Sequence, residues 1–131
     1  MNPQTFSYIK QGKDIIKELL VFYNSPQWKV YKESENLIVY SYIGTHGLIC
    51  IKGVTLFPFN IHVIKDFVDD VEKFNTIESM VDHSKVVESH GFNTYVCYTK
   101  IKKFLIAAPR DWVALAHAAY FNNKNTLIMP S

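Results

Sequence analysis

Residues 92–120 read FNTYVCYTKIKKFLIAAPRDWVALAHAAY, and the alternation within this stretch decides the fold. Successive side chains of a strand point to opposite faces, so two strands joined by an apolar loop are predicted. The side chains that share one face are Tyr95, Cys97, Thr99 and Ile101 in the first strand, and Trp112, Ala114, Ala116, Ala118 and Tyr120 in the second. Alanine is depleted in strands. The alternating alanines therefore indicate either a closely packed helix or a face that lines a space.

Length and composition are those of a single globular domain over residues 1–131. Hydrophobic residues make up 48% of the 131 positions and charged residues 20%, which argues against disorder. The net charge of +2 is small and no basic stripe is present, so no nucleic-acid partner is expected. Cys50 and Cys97 fit no disulfide framework or zinc pattern and are interpreted as free thiols in a reducing compartment. With no signal sequence and no membrane-length apolar run, the protein is predicted to be soluble and cytoplasmic.

The elements come in segregated runs of helix and strand. An amphipathic helix is predicted over Phe6–Tyr23, where apolar residues recur at three- and four-residue spacing until Pro26 stops the helix. Strands are predicted over residues 28–32, 37–43, 48–56, 80–89, 94–102, 110–120 and 126–129. Helical segments, capped at Asn60, lie between the third and fourth strands, and His90-Gly91 is the turn after the fourth. This order indicates an α+β fold with an antiparallel sheet.

Several short groups, in their order and spacing, make the sequence resemble the START domain, the steroidogenic-acute-regulatory-protein-related lipid-transfer family. The groups are Trp28, Val30, Lys32-Glu33, Val39-Tyr40-Ser41, Lys52-Gly53-Val54, Val68-Asp69-Asp70, Lys85-Val86-Val87-Glu88 and Pro109-Arg110-Asp111-Trp112-Val113. The resemblance implies a helix-grip fold, in which a curved antiparallel sheet has an N-terminal helix and helices inserted after the third strand. It also implies a tunnel that holds one lipid under a C-terminal lid helix.

The sequence departs from the family pattern at defined positions. Phe74-Asn75 stands where the family has a tryptophan–acid pair. Cys97 and Ala116 stand where some sterol-binding members bury an acid and an arginine, so that ion pair is not expected here. The family domain is also longer. Residues 1–131 are therefore expected to be a START-like domain that is C-terminally truncated, without the last strands and the lid helix.

With this resemblance, the alanine face becomes the predicted wall of a hydrophobic tunnel. The protein is then expected to be an intracellular lipid-binding or lipid-transfer protein for one phospholipid, ceramide or sterol. The residues expected to contact the lipid are Tyr95, Cys97, Thr99, Ile101, Arg110, Trp112, Ala114, Ala116, Ala118 and Tyr120. The apolar loop tip, Phe104, Leu105 and Ile106, is expected either to gate the tunnel through transient peripheral membrane contact or to fold back over the sheet. No cofactor or metal site is predicted, because the histidines lack ligand spacing.

Two other function classes stay open. Without a lid, the apolar inner face would be an open groove that a partner, or a second copy in a homo-oligomer, would have to cover. The protein would then be a non-enzymatic interaction module. The related Bet v 1-like scaffold also carries small-molecule enzymes, but turnover requires a polar constellation inside the tunnel. The sequence contains none that we can identify, so the protein is not predicted to be an enzyme.

Overall fold

The computed structural model describes residues 1–103, 105–121 and 126–129, with Phe74 described by its backbone alone. Its contacts divide the chain into two compact units. Unit 1 consists of Met1–Leu19 and Asn60–Ser131, and unit 2 consists of Leu20–Phe59. The interpretation of residues 1–131 as one domain stays a prediction.

Helix α1 spans Pro3–Tyr23 and begins earlier than the predicted Phe6. Asn2 caps it, because its Oδ1 accepts a hydrogen bond of 2.8 Å from the N–H of Gln4. Pro3 suits the first turn, where its missing N–H would have had no helical partner. The predicted start was wrong because the cap at Asn2 fixes the first turn, whereas the apolar pattern begins only at Phe6.

Unit 2 contains an antiparallel meander of β1 (Lys29–Ser34), β2 (Leu37–Ile43) and β3 (Ile49–Thr55). A short 3-10 turn, Thr45–Gly47, joins β2 to β3. These strands lie within two residues of their predicted positions, because turn-forming residues separate them in the sequence. Every residue of β1 is exposed.

The segment that follows β3 is helical, as predicted. Helix α2 spans Ile61–Asp69, and the side chain of Asn60 caps it by accepting a hydrogen bond of 2.8 Å from the N–H of His62. A 3-10 turn, Val71–Lys73, and the short helix α3, Phe74–Ile77, complete this segment. The predicted cap at Asn60 is confirmed.

Unit 1 contains a second antiparallel sheet of β4 (Val81–Gly91), β5 (Thr94–Ile101) and β6 (Arg110–His117). The turn between β4 and β5 was predicted at His90-Gly91 but lies at Phe92-Asn93, where φ is 51° and 55°. Positive φ at both central residues is the geometry that matches the twist of a hairpin. The prediction was wrong because the glycine signal marks the end of the strand rather than the centre of the turn.

The run predicted as one strand over residues 110–120 is interrupted at Ala118, whose N–H donates to the carbonyl of Asn93 at 3.0 Å. The chain then forms β7 (Ala119–Phe121), which pairs antiparallel with β8 (Thr126–Ile128). All strand pairs within the described ranges are antiparallel. The α+β class, the N-terminal helix and the helices inserted after the third strand are confirmed.

The buried core of the described residues lies in unit 1. Its apolar members are Ile16, Val71, Val81, Val96, Cys97, Ala116 and Ala118. Gly12 allows α1 to approach β6, since a Cβ at this position would lie 2.4 Å from Cγ of His117. Near the start of α1, Thr5 Oγ1 lies 3.0 Å from Nδ1 of His90 in β4. Helix α1 is therefore held against the strands at two places.

Candidate functional site

Unit 1 contains a partly enclosed cavity of about 340 Å³, bordered by α2, by the 3-10 turn that follows it and by β4, β5 and β6. The residues that line it are Val68, Val71, Glu78, Val81, Tyr95, Cys97, Thr99, Ile101, Trp112, Ala114, Ala116, His117, Ala118 and Met129. Most of these side chains are apolar. The volume falls near the lower end of the range of roughly 300–1,000 Å³ that is usual for small-molecule sites.

The register of β5 against β6 explains why there is space. Tyr95 lies opposite Ala116, and Cys97 lies opposite Ala114. An alanine across from each larger side chain leaves volume that a β-branched or aromatic residue would fill. Burial increases along β6, from Trp112 at 46% exposed to Ala116 at 8% exposed. The alternating alanines therefore line a cavity, which α2 borders as well.

Two of the predicted lipid contacts lie outside the lining of this cavity. Arg110 begins β6 and is exposed. Tyr120 lies in β7, where its hydroxyl is 3.4 Å from Nδ1 of His62. Alternation along β6 no longer sets side-chain direction once Ala118 leaves the ladder, which explains the position of Tyr120. The other predicted contacts border the cavity, and their contact with a lipid stays a prediction.

Several lining residues were not among the predicted contacts. Val68 and Val71 border the cavity from the helical segment, and Val81 borders it from β4. The helical pattern could have indicated Val68, because an amphipathic helix turns its apolar face toward the interior. Alternation assigns His117 to the opposite face of β6, so its place in the lining was not predicted. Met129 follows β8, and no sequence pattern connects it to β5 and β6.

Burial favours the uncharged forms of Tyr95 and Cys97 in the cavity. It raises the pKa of Tyr95 to about 12, and the negative charge of Asp69 acts in the same direction. Burial also raises the pKa of the Cys97 thiol, although backbone hydrogen bonds act against it. The hydroxyl of Thr99 accepts a hydrogen bond of 2.9 Å from Oγ of Ser84. These groups offer single hydrogen bonds to a ligand without presenting a charge.

His117 forms the polar end of the lining. Its Nδ1 lies 2.8 Å from Oγ1 of Thr94, and both side chains are buried. Burial, and after it the positive charge of Lys13, lowers the pKa of the His117 imidazole. Within the described ranges, no three histidine, cysteine, aspartate or glutamate side chains come together as a metal site would require.

The apolar loop tip is exposed as far as the structure describes it. Leu105 is exposed and Ile106 is 101% exposed, whereas Phe104 lies outside the described residues. The alternative in which the tip folds back over the sheet does not hold for Leu105 and Ile106. Lys102 and Lys103, which precede the tip, are exposed as well. Among the helices of the described residues, none is both long enough and apolar enough to cross a bilayer.

Comparison with solved structures identifies the fold that surrounds this cavity. The human StAR-related lipid transfer protein 5 matches with a TM-score of 0.70 at 14% identity, over 88% of this chain and 58% of that chain. A fragment of the STAR-related lipid transfer protein from Xanthomonas axonopodis matches with a TM-score of 0.66 at 16% identity, over 75% of this chain and 55% of that chain. The chain has the START fold.

The START resemblance read from the short sequence groups is thus confirmed at the level of the fold. At these identities the likeness concerns architecture, and a fold alone does not fix function. The chain spans 58% and 55% of the two matched START structures. By sequence, neither a family model nor a curated protein matches the chain.

Proposed function

We propose that the protein binds one lipid in the cavity of unit 1 and transfers it between membranes. The observation that carries this proposal is the largely apolar cavity on a START fold, with space left by Ala114 and Ala116. Both matched structures are named as lipid transfer proteins, which supports the same class of ligand. The transfer step and the lipid are part of the proposal.

Apolar burial would supply most of the affinity. Removing about 300 Å² of lipid surface from water contributes roughly 7.5 kcal/mol at ~25 cal/mol per Å². Part of this is offset by the lost freedom of the bound lipid. In this arrangement the alanines provide room, whereas Ile101 and Trp112 provide contact surface where β5 and β6 are more exposed.

The loop tip is the part of the proposal that concerns membranes. Leu105 and Ile106 are exposed apolar side chains, and Lys102 and Lys103 precede them. Lysines near an anionic surface contribute about 1 kcal/mol each, and the apolar tip would add burial at the headgroup boundary. The tip would therefore touch the membrane while the lipid enters or leaves, and detach afterwards.

Mass spectrometry of the purified protein, first native and then after organic extraction, tests the binding step. We expect one lipid per chain, recovered chemically unaltered, as binding without turnover requires. Ala114→Leu would fill the cavity and lower lipid occupancy about tenfold. Val113→Leu is the matched control, because Val113 is the neighbouring residue on the exposed face of β6. Protein that stays empty after incubation with mixed-lipid vesicles would contradict the proposal.

Movement of a fluorescent lipid from donor to acceptor vesicles tests the transfer step. Ile106→Asp should slow transfer about tenfold without lowering lipid occupancy, because the charge disfavours insertion of the tip. Val87→Asp, at another exposed apolar position in unit 1, serves as the control. An equal slowing by both substitutions would assign the effect to surface charge in general and remove the role of the tip.

A further inference from the structure

The cavity presents the phenol of Tyr95 to any molecule that it holds. Tyr95 lies in β5 opposite Ala116 and borders the cavity beside Cys97. None of the other described lining residues forms a hydrogen bond with its hydroxyl. A phenol both donates and accepts, and it gains most from a partner when it is removed from water. A polar group on the ligand is the partner that this lining does not supply.

The charges around Tyr95 determine which partner suits it. Burial holds the pKa of Tyr95 at about 12, so the hydroxyl keeps its proton at physiological pH, and the carboxylate of Asp69 is the next cause of that shift. Lys65, one turn earlier in α2, is already paired with Asp69. A second carboxylate, that of Glu78, borders the cavity. An anionic ligand would therefore bring a negative charge toward carboxylates in a partly desolvated site.

We propose that Tyr95 donates a hydrogen bond to an uncharged hydroxyl or carbonyl head of the bound lipid, and that the cavity takes neutral lipids in preference to anionic ones. This inference rests on the proposed function, because it concerns the ligand of the same cavity. The cavity volume of about 340 Å³ adds a limit on size. It suits one acyl chain or one compact ring system better than a two-chain phospholipid.

A pair of lipids with the same acyl chain isolates the effect of head charge. Monoolein carries an uncharged glycerol head, and oleoyl lysophosphatidate is the same molecule with an added phosphate. Displacement of a fluorescent fatty probe from the purified protein gives the Kd of each lipid. We expect monoolein to bind at least about tenfold more tightly, since burying an unpaired charge costs more than burying a hydroxyl that gains a partner.

Two substitutions test whether Tyr95 and its surroundings cause this preference. Tyr95→Phe removes only the hydroxyl and should weaken monoolein binding by about three- to tenfold. Tyr98→Phe is the matched control, because its hydroxyl is exposed and donates to Asp111 at 3.0 Å. Asp69→Asn removes a negative charge and leaves Lys65 without its partner. It should tighten lysophosphatidate binding several-fold while monoolein binding changes little.

The outcomes separate this inference from the function on which it rests. If neither lipid displaces the probe and extraction yields none, the proposed function fails and this inference fails with it. If both lipids bind with similar Kd values, or if Tyr95→Phe binds monoolein as the unchanged protein does, lipid binding stands and the inference is overturned. Tighter binding of lysophosphatidate than of monoolein would also overturn it. Since Asp69→Asn does not alter β5, unchanged binding of lysophosphatidate by this variant would overturn the charge preference even where Tyr95→Phe folds poorly.

Discussion

The two three-stranded sheets, β1-β2-β3 in unit 2 and β4-β5-β6 in unit 1, have similar alternating sequences but differ in how far they are buried. In unit 1, β5 has Thr94, Val96, Cys97 and Thr99 buried. In unit 2, every residue of β1 is exposed, and Tyr31 is 76% exposed. Alternation alone therefore decides which side chains share a face, whereas burial depends on what covers that face. Mutations in the two units should therefore change the free energy of unfolding by different amounts and for different physical reasons.

Unit 2 contains an aromatic cluster around Lys52. Its Nζ lies 4.6 Å from the ring centroid of Tyr23, 4.9 Å from that of Trp28 and 4.7 Å from that of Tyr40. The same ammonium donates to the carbonyl of Tyr23 at 3.3 Å. Cation–π contacts of this kind stabilise partly exposed surfaces. We therefore expect the stability of unit 1 to depend on close packing. We expect that of unit 2 to depend more on the cation–π contacts and the hydrogen bond of Lys52.

Gly12→Ala is expected to have the largest effect on the free energy of unfolding, because the added Cβ would collide with His117 of β6. Helix propensity alone predicts a gain of about 1 kcal/mol. The new Cβ, however, would lie 2.4 Å from Cγ and 2.5 Å from Cβ of His117. Since those atoms are fixed to β6, α1 must move, and we expect the free energy of unfolding to fall by about 3 kcal/mol.

Gly53→Ala supplies the comparison in unit 2. Its new Cβ would meet Cδ1 of Leu37 at an ordinary 3.6 Å, so we expect a change of less than about 1 kcal/mol. Equilibrium denaturation in urea measures both variants. A stabilised Gly12→Ala protein would show that α1 does not approach β6 as closely as described, and the contrast between the units would lose its main support.

Thr94→Val is expected to cause the next largest loss in the free energy of unfolding. Thr94 is 1% exposed, and its hydroxyl lies 2.8 Å from Nδ1 of His117. Valine keeps the shape but leaves the imidazole without this partner, which costs about 2 kcal/mol. Ser34→Ala in unit 2 removes an exposed hydroxyl that donates to the carbonyl of Leu37 at 3.3 Å, and should cost less than about 0.5 kcal/mol. Urea denaturation measures both variants, and an equal loss in the free energy of unfolding for the two would contradict the comparison.

The origin of these contacts shows what the sequence could predict. Alternation placed Cys97 and Ala116 on one face correctly, because a strand imposes its period locally. The role of Gly12 was not predictable, since its partner His117 is distant in the sequence and nothing local indicates the approach of α1 to β6. The same holds for Lys52, whose rings come from α1, β2 and the segment between them. Local patterns thus predicted elements and faces, whereas side-chain partners required the register and packing of the whole unit.

His117 is also expected to make the stability of unit 1 depend on acid. Burial, and then Lys13, lowers the pKa of His117 in the folded state below its ordinary value of 6.5. As pH falls through 6.5, the imidazole is protonated in the unfolded chain before it is protonated in the folded protein. The stability that the neutral imidazole contributes is therefore complete above pH 6.5 and is lost as the pH falls toward the lower pKa of the folded state. His117→Gln should flatten the decline in the free energy of unfolding, measured by urea denaturation between about pH 7.5 and pH 5. Equal slopes in both proteins would exclude His117 as the cause.

The smallest effect on stability is expected for Lys52→Met, which tests the aromatic cluster of unit 2. Methionine keeps an apolar stem among the rings but removes the ammonium, so we expect a loss of about 1 kcal/mol in the free energy of unfolding. Lys85→Met is the matched control, because Nζ of Lys85 lies over a single ring, that of Tyr98, at 5.9 Å. It should change stability by less than about 0.5 kcal/mol. If the two variants prove equally neutral, the cluster around Lys52 contributes nothing measurable. Unit 2 would then depend on its backbone ladder alone, and the difference between the two sheets would be one of burial only.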